Sequence, residues 1–190
     1  MIERYRLNQV ADILSGYSFR MSVAKMPQGK TLVIQSQDLL PNSINFDLES
    51  LQKVDTDDLE TLAFLKKRDV LVASKGNSTV GYFDENLDAI ATSSILVVRV
   101  NNKKLIPKYL AIYLSSPEGQ KELEKISIGA YIKGISKSQL ERLNIPVPDI
   151  EYQKRIISLY DNIVKQKDLL DRKKDINENI LNYAVKKLNF

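Results

Sequence analysis

LNIPVPDIEYQKRI, residues 143–156, decides how this chain is organised. Pro146 and Pro148 cannot donate backbone hydrogen bonds and push their neighbours toward extended geometry, so residues 144–148 read as a short edge strand. Asp149 then supplies a favoured helix N-cap, and neither glycine nor proline follows in the sequence given. A helix over residues 150–188 would be about 58 Å long at 1.5 Å per residue, too long for the face of one small globule. Its apolar positions Ile156, Leu159, Tyr160, Ile163, Leu170, Ile176, Ile180, Leu181, Ala184, Val185 and Leu188 recur mainly at spacings of three, four and seven. That spacing makes one stripe, suited to a long partner helix. Asp171, Arg172, Lys173, Lys174 and Asp175 interrupt it, as a solvated turn or as a polar layer that sets register. A terminal helix folded back on its own domain is the other reading of the same pattern.

Outward from this segment, the sequence divides into a compact domain, 1–148, and the long helix, 149–190. With 190 residues, 43% of them hydrophobic and 27% charged, the chain has the composition of one globular domain with an appendage. No apolar run of membrane-spanning length and no basic-then-apolar leader is seen, so a cytoplasmic address with no membrane contact is the expectation. Cysteine and histidine are both absent. Thiol nucleophiles, imidazole bases, disulfides and Cys/His zinc sites are thereby excluded. A net charge of +4 and a pI near 9.1 favour a polyanionic partner only weakly.

Along the domain, residues 7–14 (LNQVADIL) place Leu7, Val10, Ala11 and Leu14 at helical spacing, with Ser15-Gly16 as the stop. Tyr17, Ser18, Phe19 and Arg20 follow, either a strand start with its rings in the core or a loop offering stacking and phosphate contacts. Gly29-Lys30-Thr31 resembles the end of a phosphate-binding loop, but Ala24 occupies the first glycine position and no apolar strand precedes it, so a nucleotide site is rejected. Residues 31–35 (TLVIQ) read as a strand. The acidic stretch 42–60, with Asp47, Glu49, Asp55, Asp57, Asp58 and Glu60, reads as a solvated surface rather than a magnesium site.

Residues 69–75 (DVLVASK) are β-rich and run into Gly76-Asn77-Ser78-Thr79. A metal nuclease would need a carboxylate two residues before Lys75, where Ala73 stands. Lys75, Asn77 and Ser78 at a strand end suit phosphate or base-edge contacts, and an ordinary turn is the alternative. Residues 80–83 and 89–100 continue the sheet. Helices are predicted over 107–114 and 117–126, each with proline at its first position, and a short one over 138–142. Between them, 127–137 is a glycine-containing loop carrying Tyr131, Lys133 and Ser136.

In this order FLKKRDVLVASKGN (64–77), PKYLAIYLSSPEGQKEL (107–123), IKGISKSQLERLNIPVP (132–148) and QKRI (153–156) resemble the DNA-specificity subunit of Type I restriction-modification systems. The family usually has two prolines, an apolar residue and Glu-Glu-Gln at the helix start. Here Pro148 is followed by Asp149, Ile150, Glu151, Tyr152 and Gln153, so one proline and one glutamate are replaced. The resemblance implies an α+β fold: a single mixed target-recognition domain that reads a short DNA sequence, followed by one coiled-coil-type helix. Classical members carry two of each, so this chain resembles a half-subunit. The resemblance further implies docking to methyltransferase subunits that bind S-adenosylmethionine and methylate adenine, a separate restriction motor subunit, and no cofactor or catalytic residue in this chain.

Tyr17, Ser18, Phe19, Arg20, Lys75, Asn77, Ser78, Tyr131, Lys133 and Ser136 are the expected DNA contacts. Ile156, Tyr160, Ile163, Leu170, Ile180, Leu181 and Leu188 are the expected helix contacts with a second copy. One domain reads few base pairs at about 1–3 kcal/mol each; a two-fold pair would share the work on a palindromic, bipartite target. A regulatory or anti-restriction protein that occupies methyltransferase subunits without reading DNA is the rival expectation.

Overall fold

The computed structural model describes residues 2–20, 22–23, 28–55, 64–128 and 134–187. Nine strands and four α-helices lie in these segments, in two compact units, Met1–Gln153 and Lys154–Phe190.

Apolar β-branched runs supply the central sheet of the first unit. Its four strands are β2 (Ala11–Ser15), β5 (Asp69–Ala73), β6 (Val80–Phe83) and β8 (Ile95–Val100), all antiparallel in the order β2-β8-β5-β6. Every residue of β5 is buried, as a strand covered on both faces requires. A second, three-stranded sheet holds β3 (Thr31–Ile34) between antiparallel β4 (Gln52–Val54) and parallel β7 (Ala89–Ala91). Leu71, Ala73, Ile95 and Val97 of the first sheet and Leu32, Ile34, Ala89 and Ala91 of the second share one core with Phe83 and Leu39. Helix α1 (Pro107–Ser115) packs against β5 and β6, α2 (Pro117–Ile126) against α1, and α3 (Lys137–Glu141) against β2. The prolines at the first positions of α1 and α2 fall where a helical N–H has no partner. Ser116 Oγ caps α2 by accepting from Gly119 N at 3.2 Å.

Three expectations are corrected. Residues 7–14 are not a helix: after a 3-10 turn at Leu7–Gln9 the chain becomes β2. Two helical turns are too short to be stable unaided, and pairing with the apolar β8 overrides the local pattern. Residues 89–100 are two strands in different sheets, with Thr92, Ser93 and Ser94 turning between them. The acidic stretch is more than a solvated surface. Ile44, Leu51 and Val54 are buried while Asp47, Glu49 and Asp55 stay exposed; Asp57, Asp58 and Glu60 lie outside the described residues.

A third, two-stranded sheet joins the ends of the unit: β1 (Glu3–Arg6) pairs antiparallel with β9 (Asn144–Val147). Beside it begins α4 (Ile150–Lys186), capped by Asp149 Oδ1, which accepts from Tyr152 N at 2.8 Å. The first turn contains Gln153, a fully buried polar side chain. Its Oε1 accepts from Ile106 N at 2.8 Å, and its Nε2 donates to Lys104 O at 2.7 Å and Pro148 O at 2.8 Å. No apolar side chain could satisfy those three backbone groups, which explains a glutamine in a dry position.

In the second unit α4 continues without interruption through residues 171–175, so the charged segment is not a turn. Over its 37 residues the helix is about 55 Å long. Ile163, Leu170, Ile180 and Leu181 are exposed, Ile156 and Tyr160 are half-buried, and Leu188 lies outside the described residues. Lys174 and Glu178 pair at 3.8 Å one turn apart. No helix among the described residues is long and apolar enough to cross a membrane.

Candidate nucleic-acid interface

Register brings the end of β2, the start of β8, the end of β5 and the start of β6 to one edge of the central sheet. Ser15 lies opposite Leu96, Ala73 opposite Ile95 and Val72 opposite Val80. The loops leaving those strands are then laced by backbone hydrogen bonds. Tyr17 N donates to Ala91 O at 2.7 Å and Ser93 N to Tyr17 O at 2.8 Å. Ser74 N donates to Ser94 O at 2.8 Å, and Ile135 N to Ser74 O at 2.9 Å, beside a bridge between Lys75 and Gly134. Segments 16–20, 74–79, 92–94 and 134–136, remote in sequence, thus form one continuous surface. Gly16 makes this possible, because a Cβ there would sit 2.1 Å from Thr92 O.

The predicted contacts among the described residues have definite settings on that surface. Ser18 and Arg20 are exposed, while Tyr17 and Phe19 are half-buried and meet edge to face at 4.9 Å. Phe19 packs on Val23, Val33 and Val54, so one ring serves the core as the first of the two readings had it. Lys75 and Asn77 are exposed and Ser78 is half-buried, in a turn that Gly76 closes with φ +74°. Among the described residues neither Arg20 nor Lys75 has a carboxylate partner, which leaves both cations available to an anion. The Ser136 hydroxyl is occupied: it accepts from Gln139 N at 3.3 Å and bonds Gln139 Oε1 at 2.7 Å, capping α3. Tyr131 and Lys133 lie outside the described residues.

Two parts of the surface were not foreseen. The Thr92–Ser93–Ser94 turn sits at its centre, with Thr92 Oγ1 and Ser94 Oγ 2.9 Å apart. Its sequence signal was present, three small polar residues between apolar runs. Beside the 76–80 turn lies a cleft of about 310 Å³ lined by Asn42, Asn77, Ser78, Gln120, Glu124 and Ser127, among others. Gln120 Nε2 donates to Ser78 O at 3.0 Å and to Leu114 O at 2.7 Å, clamping the turn to the helices. No local pattern announces a helix residue reaching a loop 42 positions earlier.

The opposite edge of the sheet has a different chemistry. Asp69 is 1% exposed and receives Arg99 Nε at 2.8 Å and Nη2 at 2.6 Å, with Lys66 N at 2.8 Å. Donation to the Asp69 carboxylate holds the Arg99 guanidinium above its ordinary pKa, against the opposing effect of burial. Six residues of extended chain put Asp69 roughly 20 Å from Lys75. The two therefore cannot share a metal-hydrolysis site, and Asp69 is a structural anchor. Among the described residues, no three metal-ligating side chains come together.

One family model matches almost the whole chain, and solved structures share its fold. The Type I restriction modification DNA specificity domain matches residues 2–182. The specificity subunit of the type I restriction enzyme EcoBI from Escherichia coli is 25% identical over 134 residues, 69% of this chain and 28% of that protein. A chain from a structure of complex assembly and conformational transition in the type I R-M system superposes with a TM-score of 0.64 at 20% identity, covering 90% of this chain and 40% of its own length. The HsdS subunit from Thermoanaerobacter tengcongensis does so with a TM-score of 0.62 at 22% identity, covering 90% and 39%. This chain thus spans well under half the length of the relatives it matches. With a family match across nearly its whole length and the mixed sheets and long helix of the solved relatives, the chain belongs to the Type I restriction-modification DNA specificity domain family.

Proposed function

We propose that this chain is a half-sized specificity subunit that reads one half of a bipartite DNA target. What carries the reading is the gathering of segments 16–20, 74–79, 92–94 and 134–136 on one edge of the sheet, with Arg20 and Lys75 exposed and unpaired among the described residues. Cations at the rim meet phosphates, and the amide and hydroxyl groups between them meet base edges. The chain contributes no catalytic group. In the cytoplasm it recruits methyltransferase subunits, which bring S-adenosylmethionine, and a restriction motor subunit. The exposed apolar residues of α4, Ile163, Leu170, Ile180 and Leu181 among them, support pairing with the helix of a second copy. Two recognition domains then face an inverted-repeat site.

The test is selection of random-sequence duplex DNA by this chain mixed with a cognate methyltransferase subunit and S-adenosylmethionine, sequenced at two salt concentrations. A two-part inverted repeat is the expected outcome. Retention without sequence preference, falling steeply with salt, would leave phosphate contacts alone and favour a regulator that occupies methyltransferase subunits.

A further inference from the structure

The cleft beside the 76–80 turn differs in charge from the rim next to it. Glu124 on α2 lines it together with Asn77. Its carboxylate is exposed and has no hydrogen-bond or ion-pair partner among the described residues. The neighbouring ion pair leaves it out, since Lys125 pairs with Glu122 at 2.7 Å. The cleft is continuous with the proposed DNA surface, because Asn77 and Ser78 belong to both and Ser127 opens the segment that returns to Lys75 through Gly134.

An unpaired carboxylate on a surface that meets a polyanion is repelled by phosphate, so it is tolerated only where a donor meets it. The donors that DNA offers in the major groove are the exocyclic amino groups, cytosine N4 and adenine N6. Adenine presents N7, an acceptor, directly beside N6, so an acceptor-only carboxylate satisfies one group and repels the other. Cytosine N4 has only the ring's own C5–H on its outer side, guanine O6 lying on its inner side, so a carboxylate can approach it from the outside as an acceptor. Resting on the DNA-reading proposal above, we infer that Glu124 is a specificity-determining residue that accepts a hydrogen bond from the N4 amino group of a cytosine in the target half-site. Asn77, which lines the same cleft, and the backbone held by Gln120 fix where that base pair lies, while Lys75 and Arg20 hold the flanking phosphates.

The experiment is the same selection, run on the full chain with its methyltransferase subunit, for the native protein and for Glu124→Gln, Glu124→Ala and Lys75→Ala. Because Glu124 is exposed, all should melt as the native chain does, which is checked first. The native chain should select a C·G pair at one position of each half-site. Glu124→Ala should lower discrimination there by about 5- to 100-fold, with other positions unchanged. Glu124→Gln, which offers a donor and an acceptor together, should move the preference at that position toward A·T. Lys75→Ala should instead weaken binding to all sequences and reduce the log–log salt slope by about 0.9. If the Glu124 variants select the native motif at every position, or if the position they alter is not a C·G pair, the inference is overturned while the DNA-reading proposal stands. If the native chain selects no sequence, both fall together.

Discussion

Gln153 shows how one side chain can set the cost of a whole junction. Its fully buried amide satisfies Ile106 N, Lys104 O and Pro148 O. Gln153→Leu keeps the volume and strands those backbone groups, so unfolding in urea should show a loss of about 2–4 kcal/mol. Asp69→Asn should also destabilise, by roughly 2–4 kcal/mol. It leaves Arg99 without its counter-charge, and the guanidinium's partial exposure keeps the loss below that of a fully buried pair. Tyr109 gives a pH signature. Burial pushes its phenol up to about 12, and its hydroxyl donates to Pro146 O at 3.1 Å. The unfolded phenol ionises near its ordinary value of 10, so the folded form keeps its full stability below pH 10, loses it between pH 10 and 12, and levels off above. Tyr109→Phe should flatten that decline in denaturation midpoints measured across the range, leaving the share of Tyr113, which burial also raises. Of these three residues, only the core position of Tyr109 is legible from helical spacing. Gln153 meets Ile106 and Asp69 meets Arg99 across 47 and 30 residues, beyond any local pattern.

At the level of elements, what could be read depended on how local the determining interaction is. Proline at the first turn announces α1 and α2, and the β-rich runs announce β3, β5 and β6, because the signal and its cause lie in the same few residues. Residues 7–14 mislead because their fate is decided by β8, some 85 residues away. The candidate site follows the same rule. Its loops were visible as glycine, hydroxyl and amide clusters, whereas their convergence depends on strand register and on the Thr92–Ser94 turn. Gly16→Ala tests that convergence, since its Cβ would press on the backbone oxygens of Thr92 and Ala91 at 2.1 and 2.7 Å. Overpacking of this kind should cost about 1–3 kcal/mol. It should also remove sequence selection before it removes salt-sensitive binding, read by urea melts and by sequencing retained DNA.

For the molecule as a whole, two units of opposite character share one helix. Met1–Gln153 closes a core on itself; Lys154–Phe190 exposes Leu159, Ile163, Leu169, Leu170, Ile176, Ile180 and Leu181. If the proposed helix pairing holds, paired Ile163→Asp and Ile180→Asp changes should abolish the two-copy species that equilibrium sedimentation then finds for the native chain, while leaving the melting of the domain core unchanged. The sheet of β1 and β9 has a further consequence, in time rather than space. It pairs residues 3–6 with residues 144–147, about 140 positions along the chain, and the loop so closed is among the most expensive in entropy that the domain contains. Such a pairing forms late, after the shorter-range sheets have drawn the ends together. On a ribosome, β1 must wait for β9 to emerge. Until then the Glu3 and Tyr5 backbone groups that β9 will satisfy remain an open strand edge, and translation pauses before residue 144 prolong the interval in which that edge is exposed to other nascent chains.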